Sequence, residues 1–207
     1  MDHKVNNVQK LHDDAVWMNN NVVMGGESSA DAILSDLSRG IANLKNNWKG
    51  KDAGIRIQEV IRVHNAMASV RDALASLAAD SSAVAANYRR IQNANGAGLE
   101  DLTTIAYDQS SLTTRLGDYS DNADTIDINP SAEVGKNHID TANTAIETFE
   151  VNVKNKYNEI MENWTAGTGR DKAQNAFDMF IANVAQYKQT LSEVSSNIAT
   201  ALQNYTF

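Results

Sequence analysis

From Ile57 to Ile91 one stripe recurs in steps of three and four residues: Ile57, Val60, His64, Met67, Arg71, Leu74, Ala78, Ser81, Val84, Tyr88 and Ile91. That is the period of a single helix face. A helix of about forty residues is about 60 Å long. A rod of that length holds only if helical surface of similar length covers its stripe. The chain is therefore expected to be a packing device, all-α, built from long antiparallel hairpins in a four-helix-bundle-like arrangement with accessory helices.

The remaining patterns supply the partners. Val5, Val8, Leu11, Ala15, Met18 and Val22 form one face that Gly25 and Gly26 interrupt. Ser28 and Asp31 read as an acidic variant of a capping box opening a run through Ile33, Leu34, Leu37, Ile41 and Leu44 to Trp48. One kinked helix and two separate helices are both compatible with this start. After the stop at Asn93-Ala94-Asn95-Gly96-Ala97-Gly98, the residues Leu99, Leu102, Ile105, Leu112, Leu116 and Tyr119 suggest a short helix and then an acidic connector. Pro130 fits the first position of the next helix, with Asn129 or Ser131 as its cap.

That helix carries Val134, Ile139, Ala142, Ile146, Phe149, Val153, Tyr157, Ile160 and Trp164. Its return partner carries Ala173, Phe177, Phe180, Val184, Tyr187, Leu191, Val194, Ile198, Leu202 and Tyr205. The implied units are an N-terminal helical extension (1–27), a first hairpin (28–92), a glycine-containing break with a short helix and acidic connector (93–130), and a second hairpin (131–207).

Composition agrees with this reading. Hydrophobic residues make up 42% but aromatics only 6%, and there is one proline, a balance that favours long helices with modest contact side chains over a β-sandwich. The formal charge of −8 argues against nucleic acid as a partner, because backbone binding needs a positive footprint. Seven acidic residues lie between Glu100 and Asp127 against Arg115 alone. Their spacing lacks the central glycine of a calcium loop, so a solvated surface or one that selects a basic partner remains. With no cysteine, disulfide and thiolate chemistry are excluded and the compartment stays open. Neither a signal-peptide-like apolar core nor a membrane-spanning stretch is present, so no stable membrane insertion is expected.

Chemistry finds little foothold. His3, His12, His64 and His138 have no metal-ligand spacing, and the glutamate–histidine pattern of a bundle metal site is missing. His64 reads as a seam histidine with a local hydrogen bond, and His138 as a surface residue. Gly167-Thr168-Gly169-Arg170 lacks the strand and lysine of a phosphate loop and reads as a hairpin tip. No catalytic residue, metal or cofactor is expected, and the chain is not expected to be an enzyme.

The corners between the long helices are Trp48-Lys49-Gly50 and Trp164-Thr165-Ala166-Gly167. Glycine permits a close reversal, and an indole closes the end of a two-helix core. The stripes that follow share their intervals: Ile57, Val60, His64, Met67, Arg71, Leu74 against Phe177, Phe180, Val184, Tyr187, Leu191, Val194. The tips differ, because Ile57 lies nine residues after Trp48 and Phe177 thirteen after Trp164. Trp17 lies off its helix stripe and, with Tyr88 and Tyr205, is a candidate partner-facing aromatic.

On these residues, 28–91 resembles the WXG100 or ESAT-6-like proteins, small helical hairpins exported by type VII secretion, with Trp48-Lys49-Gly50 matching the family motif. Residues 131–207 resemble a second, divergent member with one extra residue at the corner. The resemblance implies a tandem two-hairpin protein whose hairpins either pack on each other as an internal pseudo-dimer or each recruit a separate partner; tethering in one chain favours the first. It also implies export by a signal-peptide-independent route, or a cytoplasmic role as partner or chaperone before export. A WXG- or LXG-type secreted protein, a component of the secretion system and a second copy of the chain are the expected partners. The family's usual export signal, a tyrosine with an acidic residue four positions later, is missing: Tyr88 is followed at that spacing by Gln92 and Tyr119 by Ala123. A secreted helical toxin acting on membranes is the alternative.

Overall fold

The computed structural model describes residues 5–107, 112–124, 126–165 and 168–205, with the side chains of Thr168 and Tyr205 left out. The elements run α1 (Val8–Trp17), a π-helical continuation (Met18–Val23), α2 (Ala30–Asn47), β1 (Trp48–Lys49), α3 (Lys51–Ala94), β2 (Asp127–Ile128), α4 (Ala132–Asn163) and α5 (Thr168–Tyr205). The chain is an all-α helical bundle. Its strands are two residues each and pair antiparallel, Trp48 with Ile128 and Lys49 with Asp127.

α2 and α5 each pack against both α3 and α4, closing a four-helix arrangement. The pairs that cross between helices fix the directions. Asp31 meets Arg71 at 2.9 Å and Ser38 meets His64 at 3.0 Å, so α2 runs antiparallel to α3. Asp36 meets His138 at 2.9 Å, and the Gly135 N–H donates to Asn43 Oδ1 at 3.1 Å, so α2 also runs antiparallel to α4. α3 and α4 are therefore parallel.

The N-terminal extension continues the α2 rod. α1 packs on α3 and α4, as α2 does, but at their other ends: Arg89 donates to Gln9 at 2.7 Å, and Lys156 reaches Asp14 at 2.9 Å. The stripe of α3 is thus covered on one side by α5 and on the other by two shorter helices in series. The sequence left one kinked helix or two open. Two are formed, separated by the loop through Gly25, whose φ of 82° favours glycine.

Helix starts differ from the sequence expectation by small steps. Ser29, not Ser28, caps α2, its Oγ accepting from the Ala32 N–H at 3.3 Å, while Asp31 is used for the Arg71 ion pair. Pro130 precedes α4 within a tight turn. There the Ala132 N–H donates to the Asn129 carbonyl at 2.8 Å, and Asn129 Oδ1 accepts from the Ser131 N–H at 2.9 Å.

One apolar core runs through all five helices and includes Trp48, Trp164, Phe149, Phe180, Leu11 and Met18. Phe149 meets Phe180 edge-on at 5.4 Å, and Tyr157 stacks on Phe177 at 4.0 Å. α2 and α4 approach closely at two glycines: a Cβ on Gly40 would lie 3.1 Å from the Gly135 carbonyl oxygen, and one on Gly135 would lie 2.9 Å from Leu44 Cγ.

The short helix expected from Leu99 to Tyr119 is corrected. The described residues from 97 to 123 are a non-helical strap that runs back along α3. Its pins are regular. The Thr113 N–H donates to Asp72 at 3.1 Å, the Leu116 N–H to Asn65 at 2.8 Å, and the Tyr119 N–H to Gln58 at 2.6 Å. Seven residues of helix rise about 10.5 Å, and three residues of extended chain cover about 10 Å, so the two repeats stay in step. Threonine, serine, aspartate and glycine in this stretch add little helical propensity to oppose the pinned form.

Candidate functional site

The two tryptophan corners are built alike. Trp48 ends α2 with an extended backbone (φ −139°, ψ 122°), and Trp164 ends α4 in the same region (φ −128°, ψ 107°). Each still donates its N–H one turn back, to Leu44 and Ile160 respectively. Their side chains are buried, 1% and 2% exposed, so the indoles are core groups closing the ends of the bundle.

Each corner is completed by the other half of the chain. Trp48 pairs with Ile128, just before α4, and Trp164 makes an antiparallel bridge with Val5, just before α1. The Asn129 N–H donates to the Asn47 carbonyl at 2.8 Å, and the Asn6 N–H donates to the Asn163 carbonyl at 3.0 Å. These carbonyls belong to the last helical turn, where intrahelical donors run out. Asn47 and Asn163 also bond back by their side-chain amides to the carbonyls of Asn43 and Glu159, both at 2.9 Å. Sequence reasoning placed Val5 on a helix stripe and Asn129 as a helix cap, not at the corners, and passed over Asn6, Ile128 and the two corner asparagines. The signal was the repeated Asn-Trp dipeptide, together with an apolar residue followed by asparagine ahead of both α1 and α4.

The tips beyond the tryptophans diverge. Gly50 has φ 112°, a left-handed conformation that glycine accepts freely, and its N–H donates to Asp121 at 3.1 Å. The Ala123 N–H, and after it this Gly50 donor, hold the Asp121 carboxyl below the ordinary carboxylate range. At the second tip the Arg170 Nε donates to the Trp164 carbonyl at 3.1 Å. Gly167 lies outside the described residues.

Trp17 is 38% exposed. It lies beside a closed set of charges: Lys10 and Lys156 each contact both Asp14 and Glu159 at 2.7–2.9 Å. The Lys156 ammonium sits 5.0 Å from the Trp17 ring centroid. Hydrogen bonds from Lys156 and Lys10 bring Glu159 down to about 2. Tyr88 is half-buried against the core, and Tyr205 is the last residue of α5. The side chain of Tyr205 lies outside what the structure describes.

His64 is buried in the α2–α3 seam, with Ser38 Oγ at 3.0 Å and Asn65 Oδ1 at 3.2 Å. Burial is the larger cause that lowers its pKa, and Arg115 adds to it against the Asn65 hydrogen bond. His138 was expected at the surface; it is instead half-buried in its α2–α4 contact with Asp36. His12 Nε2 lies 2.8 Å from the Thr103 carbonyl of the strap. Among the described residues no three histidine or acidic side chains are grouped to hold a metal ion, and no helix is long and apolar enough to cross a membrane.

The arrangement is thus a set of helix-end closures and polar pins, whose chemistry is recognition between chain segments. No family model matches the chain, and neither a curated protein nor a solved structure matches it.

Proposed function

We propose that this chain is a helical protein of type VII secretion, a tandem member of the WXG100 kind, that is exported or serves as partner to an exported protein. The observation that carries the reading is the pair of buried tryptophan corners, each at the reversal between two long helices and both in one polypeptide. A fused pair of hairpins would travel as a preassembled bundle and engage a WXG- or LXG-type protein through remaining helical surface. Trp17, exposed on α1 beside the Lys156 ammonium, is the aromatic offered for that contact, since exposed aromatics beside cations make strong anchors.

Co-expression with the products of neighbouring secretion genes, followed by co-purification, tests this reading. It predicts a stable complex that weakens when Trp17 is replaced by alanine, and altered localisation when the secretion ATPase is deleted. No complex, together with unchanged localisation, would contradict it.

A further inference from the structure

The two halves of the molecule meet through the reciprocal bridges, Val5 with Trp164 and Ile128 with Trp48, and through the faces of α2 on α4 and α3 on α5. None of these contacts needs both halves to come from one polypeptide. Only the strap makes them do so.

The strap has a long way to go. α3 and α4 are parallel with their starts side by side, so the chain leaving Ala94 must return along α3, about 60 Å at 1.5 Å per residue. An extended chain covers that distance in about 18 residues, and residues 95–131 provide 37. With about twice the needed length, the path is set by the pins and not by tension. The pins read main chain. Asn65 takes the Leu116 N–H and donates to the Leu116 carbonyl, both at 2.8 Å, while Asp72 and Gln58 accept from the Thr113 and Tyr119 amides. Gly96 and Gly98, both at positive φ, turn the chain where the strap leaves α3, a turn in which the Ala97 N–H donates to the Gln92 carbonyl at 3.0 Å and the Leu99 N–H to Asn93 Oδ1 at 2.9 Å.

We propose that the strap is a latch that keeps the α4–α5 hairpin on the α1–α3 unit of its own chain, and that the same surface accepts the α4–α5 hairpin of a second copy when the latch is shortened or released. The exchanged dimer keeps both corner bridges, because each already joins one half to the other. Pinning favours the closed monomer by holding the hairpin's effective concentration above what a loose tether provides. This property goes beyond the secretion reading and does not depend on it.

Deleting residues 101–123 leaves about 14 residues between Ala94 and Ala132, a reach of at most about 48 Å, too short for closure within one chain. Sedimentation equilibrium is expected to give twice the mass of the shortened chain, with α4 and α5 protected from hydrogen exchange. A folded monomer, or a chain in which α1–α3 is protected while α4 and α5 are not, would overturn the proposal. The full-length variant Q58A/N65A/D72A decides the matter should the shortened chain not fold. Two differently labelled pools are refolded together at about 1 mM, comparable with the effective concentration of a loose tether. Dimers carrying both labels should then exceed those of the unsubstituted chain by about tenfold. Equal amounts would overturn the proposal.

Discussion

The main-chain N–H of Asn6 donates to the carbonyl oxygen of Asn163 at 3.0 Å, tying the segment ahead of α1 to the last turn of α4. Its counterpart is the bond from Asn129 to Asn47 at 2.8 Å. Each half therefore closes the exposed helix end of the other, and the buried indole beside each closure belongs to a joint structure and not to one hairpin.

Replacing Trp48 or Trp164 by alanine should consequently cost similar amounts, about 3–5 kcal/mol each, the usual range for removing a large buried aromatic. Urea denaturation of the two variants measures this. A large loss at one corner with almost none at the other would show that the corners are not equivalent.

Close approach of α2 and α4 depends on Gly135, where an added Cβ would lie 2.8 Å from Asn43 Oδ1 and 2.9 Å from Leu44 Cγ. Gly135→Ala is expected to destabilise by about 1–3 kcal/mol through overpacking. The same change at Gly117, where a Cβ meets nothing within 4 Å, should leave stability within about 0.5 kcal/mol of the unsubstituted chain. Equal effects at the two positions in thermal or urea unfolding would refute the crossing argument.

Much of this was legible in the sequence, for physical reasons that also mark where reading stopped. The stripe from Ile57 to Leu74 sits on helix periodicity, and its residues are buried apart from the partly exposed Arg71; local pattern and tertiary burial coincide there. Trp48 and Gly50 fall at the expected reversal because indole size and glycine φ are local properties. The strap differs from the expected helix because Leu99, Leu102 and Ile105, and again Leu116 and Tyr119, are three residues apart, a step that suits both a helix and an extended chain with a three-residue repeat. What decides between them is the polar ladder of Gln58, Asn65 and Asp72 at seven-residue steps on α3, a long-range fact. The reciprocal bridges were hidden for the same reason: Val5 and Ile128 show no affinity for a tryptophan corner until the helices have placed them there.

Acid should loosen α1 from α4 before the bundle opens. Glu159 is depressed from 4.5 to about 2 by its bonds to Lys156 and Lys10. A depressed carboxyl contributes stability that is present above the unfolded value of 4.5 and lost as pH falls toward 2. Hydrogen exchange of α1 should therefore accelerate between pH 4.5 and 2 relative to the core of α3, and Glu159→Gln should remove much of that dependence. An α1 that stays as protected as α3 across this window would contradict the prediction.

His64 gives a second window. Its folded pKa lies below the ordinary 6.5 because burial disfavours the imidazolium. The unfolded chain binds the proton first, so stability is full above pH 6.5 and declines as pH falls from 6.5 toward the folded value. The urea midpoint should drop between pH 7 and pH 5, and His64→Gln should show a shallower drop. Parallel pH profiles for the two proteins would exclude His64 as the source.

The central claim is that two hairpins, each closing the other's corner, form one cooperative body. Native-state hydrogen exchange under rising denaturant measures this residue by residue. The account predicts that the slowest amides of α2–α3 and of α4–α5 converge on one opening free energy with one denaturant slope. Two separate isotherms, with one hairpin opening while the other stays closed, would contradict it.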